Sequence, residues 1–352
     1  MVKRQSVPLA RWFSILALSA ALASAALFAC TPRVDAPPPE VPGHSEPKPS
    51  AGPTGAIPDA PPDGIAARRG GALVVRFLDV GQGDSAIVAT DDRHALVIDA
   101  GPPEGYRRTL LAARALGDAT LDRMVLTHPH ADHLGLLPDL LTRLPFERLL
   151  EPSLPDAHLP TYTSALAVAA ARHVPVEVAR RGQHFALGAH AEVTVLSPRE
   201  PLIEHTRSDL NANSVVLRID HHALPGDSRF LFEADAEEAT ERRLLEDRAS
   251  LRADVLKVAH HGSHYASSDA LLDDVSPRLA VISCGAENDY GHPHARTLRR
   301  LEARGVIIAR TDLEGDVTVT SDDHGLTWTT ERDADKGELR APGKGARPEK
   351  AP

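Results

Sequence analysis

Four side chains able to bind a metal fall within six residues. They are His128, His130, Asp132 and His133, in the string Thr127-His128-Pro129-His130-Ala131-Asp132-His133. Imidazole and carboxylate are the usual ligands of zinc and of its neighbours in the first transition row. In a loop leaving the C-terminal end of a strand, His128 and His130 can face one ion while Asp132 and His133 turn to a second. The bland alternative is a surface loop that happens to be rich in histidine. The chemistry expected of a filled site is hydrolysis, because a divalent ion lowers the pKa of bound water from 15.7 to about 7 and so supplies hydroxide at neutral pH.

Such a loop needs strands to hold it. Apolar runs predict strands at Leu73–Leu78, Ser85–Ala89, Ala95–Ile98 and Arg123–Leu126, the last directly before the histidines. Further strands are expected at Glu192–Leu196, Ser214–Ile219, Arg229–Glu233, Val255–Val258, Leu279–Ser283 and Val306–Ala309. Helical spacing appears over Arg107–Leu116, Leu134–Arg143, Glu237–Arg248 and Ala295–Arg304. A hairpin, Val317–Thr320 and Leu326–Thr329, turns around Asp323-His324-Gly325. Strands come in consecutive groups with helices between the groups. This suits an α/β architecture of two sheets packed face to face with helices outside, rather than a strict βαβ alternation.

The flanks read differently. Lys3, Arg4 and Arg11 precede an uncharged run from Trp12 to Ala29 that ends at Cys30. The run is short for a membrane span and fits a signal peptide over residues 1–30. Small residues before Cys30 resemble a bacterial lipobox, although Phe28 is larger than usual there. The expectation is a lipoprotein, lipidated at Cys30 and anchored to a bacterial membrane outside the cytoplasm; a cleaved signal or an uncleaved anchor are the alternatives. Residues 31–71 carry eleven of the chain's 29 prolines before Gly64 and predict a disordered tether. The folded unit is expected over 72–332, with a disordered tail at 333–352. Thirty-nine basic against 49 acidic residues give a net charge of −10. That balance disfavours a protein that coats nucleic acid through a broad basic face, but not a nuclease whose metal supplies positive charge locally. With two cysteines, a disulfide framework or a thiolate zinc site is not expected, and Cys284 reads as a small buried hydrophobe.

The histidine string matches the H-x-H-x-D-H signature of the metallo-β-lactamase superfamily. From Val75 to about Val319 the chain resembles one branch, the C-terminal domain of ComEC-type DNA-internalisation (competence) proteins and their free-standing relatives. The motifs are Phe77-Leu78-Asp79-Val80-Gly81-Gln82-Gly83-Asp84-Ser85, Ile98-Asp99-Ala100-Gly101, Asn211-Ala212-Asn213-Ser214, Phe230-Leu231-Phe232-Glu233-Ala234-Asp235, Lys257-Val258-Ala259-His260-His261-Gly262-Ser263 and Tyr290-Gly291-His292-Pro293. The resemblance implies a four-layer αββα sandwich with one or two divalent metals at the edge where the sheets meet. It implies Asp235 as a carboxylate bridging two ions, although Asp235 with Glu238 also fits a helix capping box. It implies that one of His260 and His261 is a ligand. The superfamily's His-Gly step selects His261, leaving His260 to support the site or touch substrate. Asp99 resembles the aspartate that orients the histidine loop. His292 is a candidate phosphate contact or proton donor, or a plain loop histidine. Gln82, Asn213 and Ser263 are expected at the substrate rim. Asp79 and Asp84 are expected there too, in a glycine-rich loop, with turn formation as the alternative.

Many superfamily members place a third histidine where this chain has Asn211-Ala212-Asn213-Ser214; His205 is nearby but outside the motif. Zinc remains the expected ion, and manganese becomes reasonable because fewer imidazoles suit harder cations. The expected function is a metal-dependent hydrolase, a phosphodiesterase or nuclease-like enzyme in which Asp132, Asp235, His260 and His292 serve catalysis. Hydrolysis of a lactam, lactone or thioester is the second reading. A non-catalytic accessory in DNA uptake is the third, against which the complete ligand set argues.

Overall fold

The computed structural model describes residues 71–332, apart from 156 and 224–225, and the short strand Gly337–Leu339. The expected leader with Cys30, the tether up to residue 70 and the rest of the tail lie outside the described residues.

Strands β1 (Leu73–Phe77), β2 (Ala86–Thr90) and β3 (His94–Ile98) form an antiparallel meander. The chain then switches to parallel pairing, which requires crossovers. Helix α1 (Tyr106–Arg114) leads to β4 (Thr120–Val125). Helices α2 (Ala131–Leu134) and α3 (Leu137–Arg143) lead to β5 (Leu149–Glu151), and α4 (Pro160–Ala171) leads to β6 (Val176–Val178). The second sheet repeats this plan. Strands β7 (His184–Leu187), β8 (Ala191–Ser197), β9 (Val216–His221) and β10 (Ser228–Phe232) run antiparallel, with the one-turn α5 (Asp209–Ala212) between β8 and β9. After α6 (Glu238–Glu246) come β11 (Val255–Lys257), α7 (Asp269–Val275), β12 (Leu279–Ile282), α8 (Ala295–Glu302) and β13 (Ile307–Arg310), with the three strands parallel. Past α9 (Thr311–Glu314) the chain returns to the first sheet as β14 (Val317–Asp322), β15 (Gly325–Thr330) and β16 (Gly337–Leu339). Strand β14 lies against β1. The edge strand β16 falls in the segment that sequence assigns to the tail.

Three apolar clusters separate the layers. Leu73, Val75 and Phe77 alternate along β1 toward the second sheet, where Phe77 stacks on Phe232 at 5.6 Å between ring centres. Ile87 and Val97, on the other face of their strands, meet Leu110, Leu137, Leu140 and Leu141 of α1 and α3. On the far side Leu231, Leu256 and Ile282 meet Leu244, Leu271 and Leu301 of α6, α7 and α8. The order is helix, sheet, sheet, helix: the αββα sandwich. Each fully buried leucine contributes about 1.5–3 kcal/mol, so the sheet faces, rather than any contact at the site, fix where the strand ends stand.

The expected single helix Leu134–Arg143 is two helices. Gly135 interrupts it at φ 41°, because a Cβ there would lie 2.1 Å from the Gly101 carbonyl oxygen. Strands β5 to β7 and helices α4, α5 and α7 have no counterpart in the sequence reading.

Candidate metal centre

The site is built at the C-terminal ends of five strands, where both sheets finish on the same side. The segment after β4 carries His128, His130, Asp132 and His133; that after β3 carries Asp99. From the second sheet come Asp235 after β10, His261 after β11 and the Ser283 carbonyl after β12.

Asp99 organises the histidine loop. Its carboxylate accepts from the Thr127 amide at 2.8 Å and the Thr127 hydroxyl at 2.7 Å, and contacts His133 Nδ1 at 2.8 Å. An acceptor at Nδ1 leaves His133 Nε2 to face the centre. The Gly81-Gln82-Gly83 loop supports the same segment from behind. The Asp84 amide donates to the Asp132 carbonyl at 3.1 Å, and a Cβ on Gly83 would sit 2.3 Å from that oxygen. The glycine is thus needed for close approach to the histidine loop itself, not to a substrate.

Three ligand groups result, one of them Asp84, Asp99 and His133 behind the loop; the other two share a residue. Asp132, His133, Asp235 and His261 offer atoms that all lie within 4.8 Å of one another, and so do His128, His130 and Asp235. Asp235 belongs to both. It does not cap α6, whose N-cap is Glu237. His128 Nε2 and His130 Nδ1 are 3.0 Å apart, and His128 Nε2 is 3.6 Å from Asp235 Oδ2. His133 Nε2 and Asp235 Oδ1 are 3.2 Å apart, yet both are buried without an aligned hydrogen bond. Such atoms converge on a common point rather than on each other, and a buried polar atom left this way is costly unless something occupies that point. A divalent cation fits this donor set.

The electrostatics agree. Burial alone would push Asp235 up, but His133, His261 and His128 hold it well below the usual carboxylate range. Burial opposes a charge on His133 and His261, yet the carboxylates override it. Asp235, Asp99 and Asp132 hold His133 well above its usual value, and Asp235 with Asp84 raises His261 to about 10. His128 goes the other way, lowered by burial and by His133. In the absence of a cation these carboxylates hold protons on His133 and His261, and metal binding displaces such protons.

A cavity of about 300 Å³ opens over the cluster, lined by Gln82, Asn211, His260, Tyr290 and His292 as well as the candidate ligands. Gln82 is at the rim as expected from sequence, its side-chain oxygen accepting from the Gly285 amide at 3.1 Å. His260 Nδ1 lies 2.9 Å from Glu237, and its Nε2 is 3.7 Å from Asp235. His260 and His261 both have left-handed backbone, φ 47° and 53°, which strains residues bearing a Cβ.

Four residues expected at the rim are elsewhere. Asp79 pairs with Arg332, and its amide donates to Asp316 at 2.8 Å. Asp84 is buried behind His261, 3.3 Å from its Nδ1 and 2.7 Å from the Lys257 ammonium. Asn213 spends its amide bracing the loop at Ile203 and Asp209. Ser263 is buried and accepts from the Tyr265 amide. Asn211, not Asn213, reaches the cavity. The two are neighbours in one motif, and only the phase of the one-turn α5 separates them. Lys257 was also missed, since a lysine ending an apolar strand gives no hint of burial.

The family described as "Metallo-beta-lactamase superfamily" matches residues 78–286. The chain is 29% identical over 260 residues to "ComE operon protein 3" of Bacillus subtilis, covering 69% of this chain and 32% of that protein. It is 30% identical to "Competence protein ComA" of Neisseria gonorrhoeae, covering 73% and 33%. It is 28% identical to "Recombination protein 2" of Haemophilus influenzae, covering 70% and 28%. The chain therefore spans about a third of the length of these curated relatives.

Proposed function

Because the chain belongs to the metallo-β-lactamase superfamily and carries its dinuclear metal-ligand cluster, we propose that it is a metal-dependent phosphodiester hydrolase, nuclease-like in chemistry, acting outside the cytoplasm. The observation that carries this reading is Asp235, one buried carboxylate common to two ligand groups beneath an open cavity. His128, His130 and Asp235 would hold one ion, and Asp132, His133, Asp235 and His261 the other. Bound divalent ions supply Lewis acidity and a water acidic enough to ionise near neutral pH. Zinc suits the imidazoles. Manganese is the alternative, favoured by Asn211 standing in the cavity wall where many relatives have a third histidine.

The surrounding side chains handle the substrate. Burial, then the charges of His261 and His260, push His292 down to about 4, so its ring is neutral at pH 7 and can donate an N–H to a phosphoryl oxygen. Glu237 fixes the orientation of His260 through Nδ1, leaving Nε2 toward the cavity, where the imidazolium form would pass its Nε2 proton to the leaving oxygen and become neutral. The names of two relatives, "Competence protein ComA" and "Recombination protein 2", support nucleic acid as the diester. The placement outside the cytoplasm rests on the leader and Cys30; among the described residues no helix is long and apolar enough to cross a membrane.

The test is elemental analysis of the parent and of His128→Ala/His130→Ala, with a panel of bis(p-nitrophenyl) phosphate, DNA, RNA and a β-lactam. Metal-dependent cleavage of a phosphodiester, lost in the variant with its metal, is expected. Opening of a lactam or thioester with no diester cleaved would replace the substrate class. Cys30→Ser should release the protein from membranes, and absence of labelled fatty acid from the parent would remove the anchor.

A further inference from the structure

Cations and an aromatic ring gather where two of the loops that carry site residues meet. Arg207 lies on the loop that leads into α5 and Asn211; His264 and Tyr265 follow directly on the His261 turn. The Arg207 guanidinium stacks 3.4 Å above the Tyr265 ring. His264 Nδ1 is 3.2 Å from His294 Nδ1, and its Nε2 is 3.1 Å from Arg296. Arg207 and Arg296 are exposed and have no carboxylate partner among the described residues, whereas Arg300 next to them is tied to Asp269. Desolvation, then the positive charges of His294, Arg296, Arg300 and Arg207, hold His264 below its usual value, so these charges act on one spot. On a chain of net charge −10, this is a local reversal of sign on the loops that carry Asn211 and His261.

We propose that Arg207, His264, Tyr265, His294 and Arg296 form a docking strip for single-stranded nucleic acid flanking the scissile bond, an inference that rests on the phosphodiesterase reading. Guanidinium groups pair with backbone phosphates, and Tyr265, 46% exposed with Arg207 on one face, would offer its other face to a base, the combination that single-strand binding surfaces use. A duplex keeps its bases stacked on one another and cannot offer one to Tyr265. The strip lies on the two loops that also bring Asn211 and His261 to the cavity, so a strand seated on it continues into the site.

The test uses Arg207→Ala/Arg296→Ala in the full chain, with thermal melting as the fold control. Binding of a fluorescein-labelled oligothymidine is measured by anisotropy over a salt series in chelator, and turnover of bis(p-nitrophenyl) phosphate with metal. Each lost phosphate contact should make the slope of log K against log[salt] shallower by about 0.7, so the double variant should lose about 1.4 and bind ~10-fold more weakly. Tyr265→Leu should weaken binding about fivefold or more. Turnover of the small diester should not change. Parent-like affinity and slope in the double variant would overturn the strip. So would tighter, arginine-dependent binding to vesicles of anionic lipid than to the oligonucleotide. Arginine-dependent oligonucleotide binding with no diester cleaved would support the strip and remove the hydrolytic reading; cleavage with unchanged binding would do the reverse.

Discussion

The two sheets hold their share of the metal centre by different means. On the first sheet, His133 is backed by Asp99, which is itself held by neutral donors, the amide and hydroxyl of Thr127. On the second, His261 Nδ1 meets the Ser283 carbonyl at 3.0 Å, with the charge of Asp84 3.3 Å behind it, and Asp84 is held by the buried ammonium of Lys257. Burial leaves Asp99 raised, despite its His133 and Thr127 partners, whereas at Asp84 the Lys257 charge overcomes burial and brings the carboxyl down to about 2. One imidazole is thus oriented by a carboxylate from the next loop of its own sheet, the other by the Ser283 carbonyl together with an ion pair reaching between sheets. The first arrangement lies within one sheet. The second exists only after the sheets have packed.

The carboxylate between the two halves should matter most. Asp235→Asn keeps the shape and removes the charge both groups share. If the ions contribute several kcal/mol to the reaction, activity falls by at least ~10³-fold. The rise in Tm on adding metal should shrink with it. Full activity in this variant would mean that the halves do not act together.

Lys257→Met tests the second half alone. It strands a buried carboxylate, which costs about 3–5 kcal/mol, read by urea unfolding of metal-free protein. The pH dependence follows from the same pair. A carboxyl with a depressed pKa adds stability that is complete above its unfolded value near 3.9 and is lost as pH falls through its folded value, here about 2. Acid unfolding between about pH 4 and 2 should therefore be steep in the parent and flatter in Lys257→Met.

Asp84→Asn and Asp99→Asn compare the supports directly. Replacing a carboxylate behind a ligating imidazole typically lowers metal affinity 10–100-fold, and competition against a fluorescent chelator would measure each. Equal losses would make the supports interchangeable despite their different chemistry. The smallest effect belongs to Thr127→Val. It removes one of the three hydrogen bonds to Asp99, at about 1.5 kcal/mol of stability. A loss as large as that of Lys257→Met would erase the distinction between the halves.

The same asymmetry governs what was legible in the sequence. The first half announces itself, because four ligands lie in one short loop after an apolar strand. Most core strands were legible too, since β1 and β14 alternate and β10 to β12 are nearly all apolar. Short edge strands such as β6, with both valines exposed, carry no such pattern. The alanine-rich α4 offers little contrast between its faces. Supporting residues were the least legible. Asp84 and Asp79 sit five apart in one glycine-rich loop and look alike as turn formers. One is buried behind the metal centre, and the other is tied to Arg332. Only the strand register separates them.

Asp235 has one further consequence. A single carboxylate common to two ligand groups means that filling them is not two independent events. The first cation neutralises the charge that draws the second, and two cations near one carboxylate repel each other. Linkage makes this reciprocal, whichever ion enters first. Calorimetric titration should therefore resolve two unequal steps, and Asp235→Asn should weaken both rather than delete one. At limiting metal the protein would sort into half-filled molecules, and its hydrolytic rate would rise with concentration as a second-order function of metal supply.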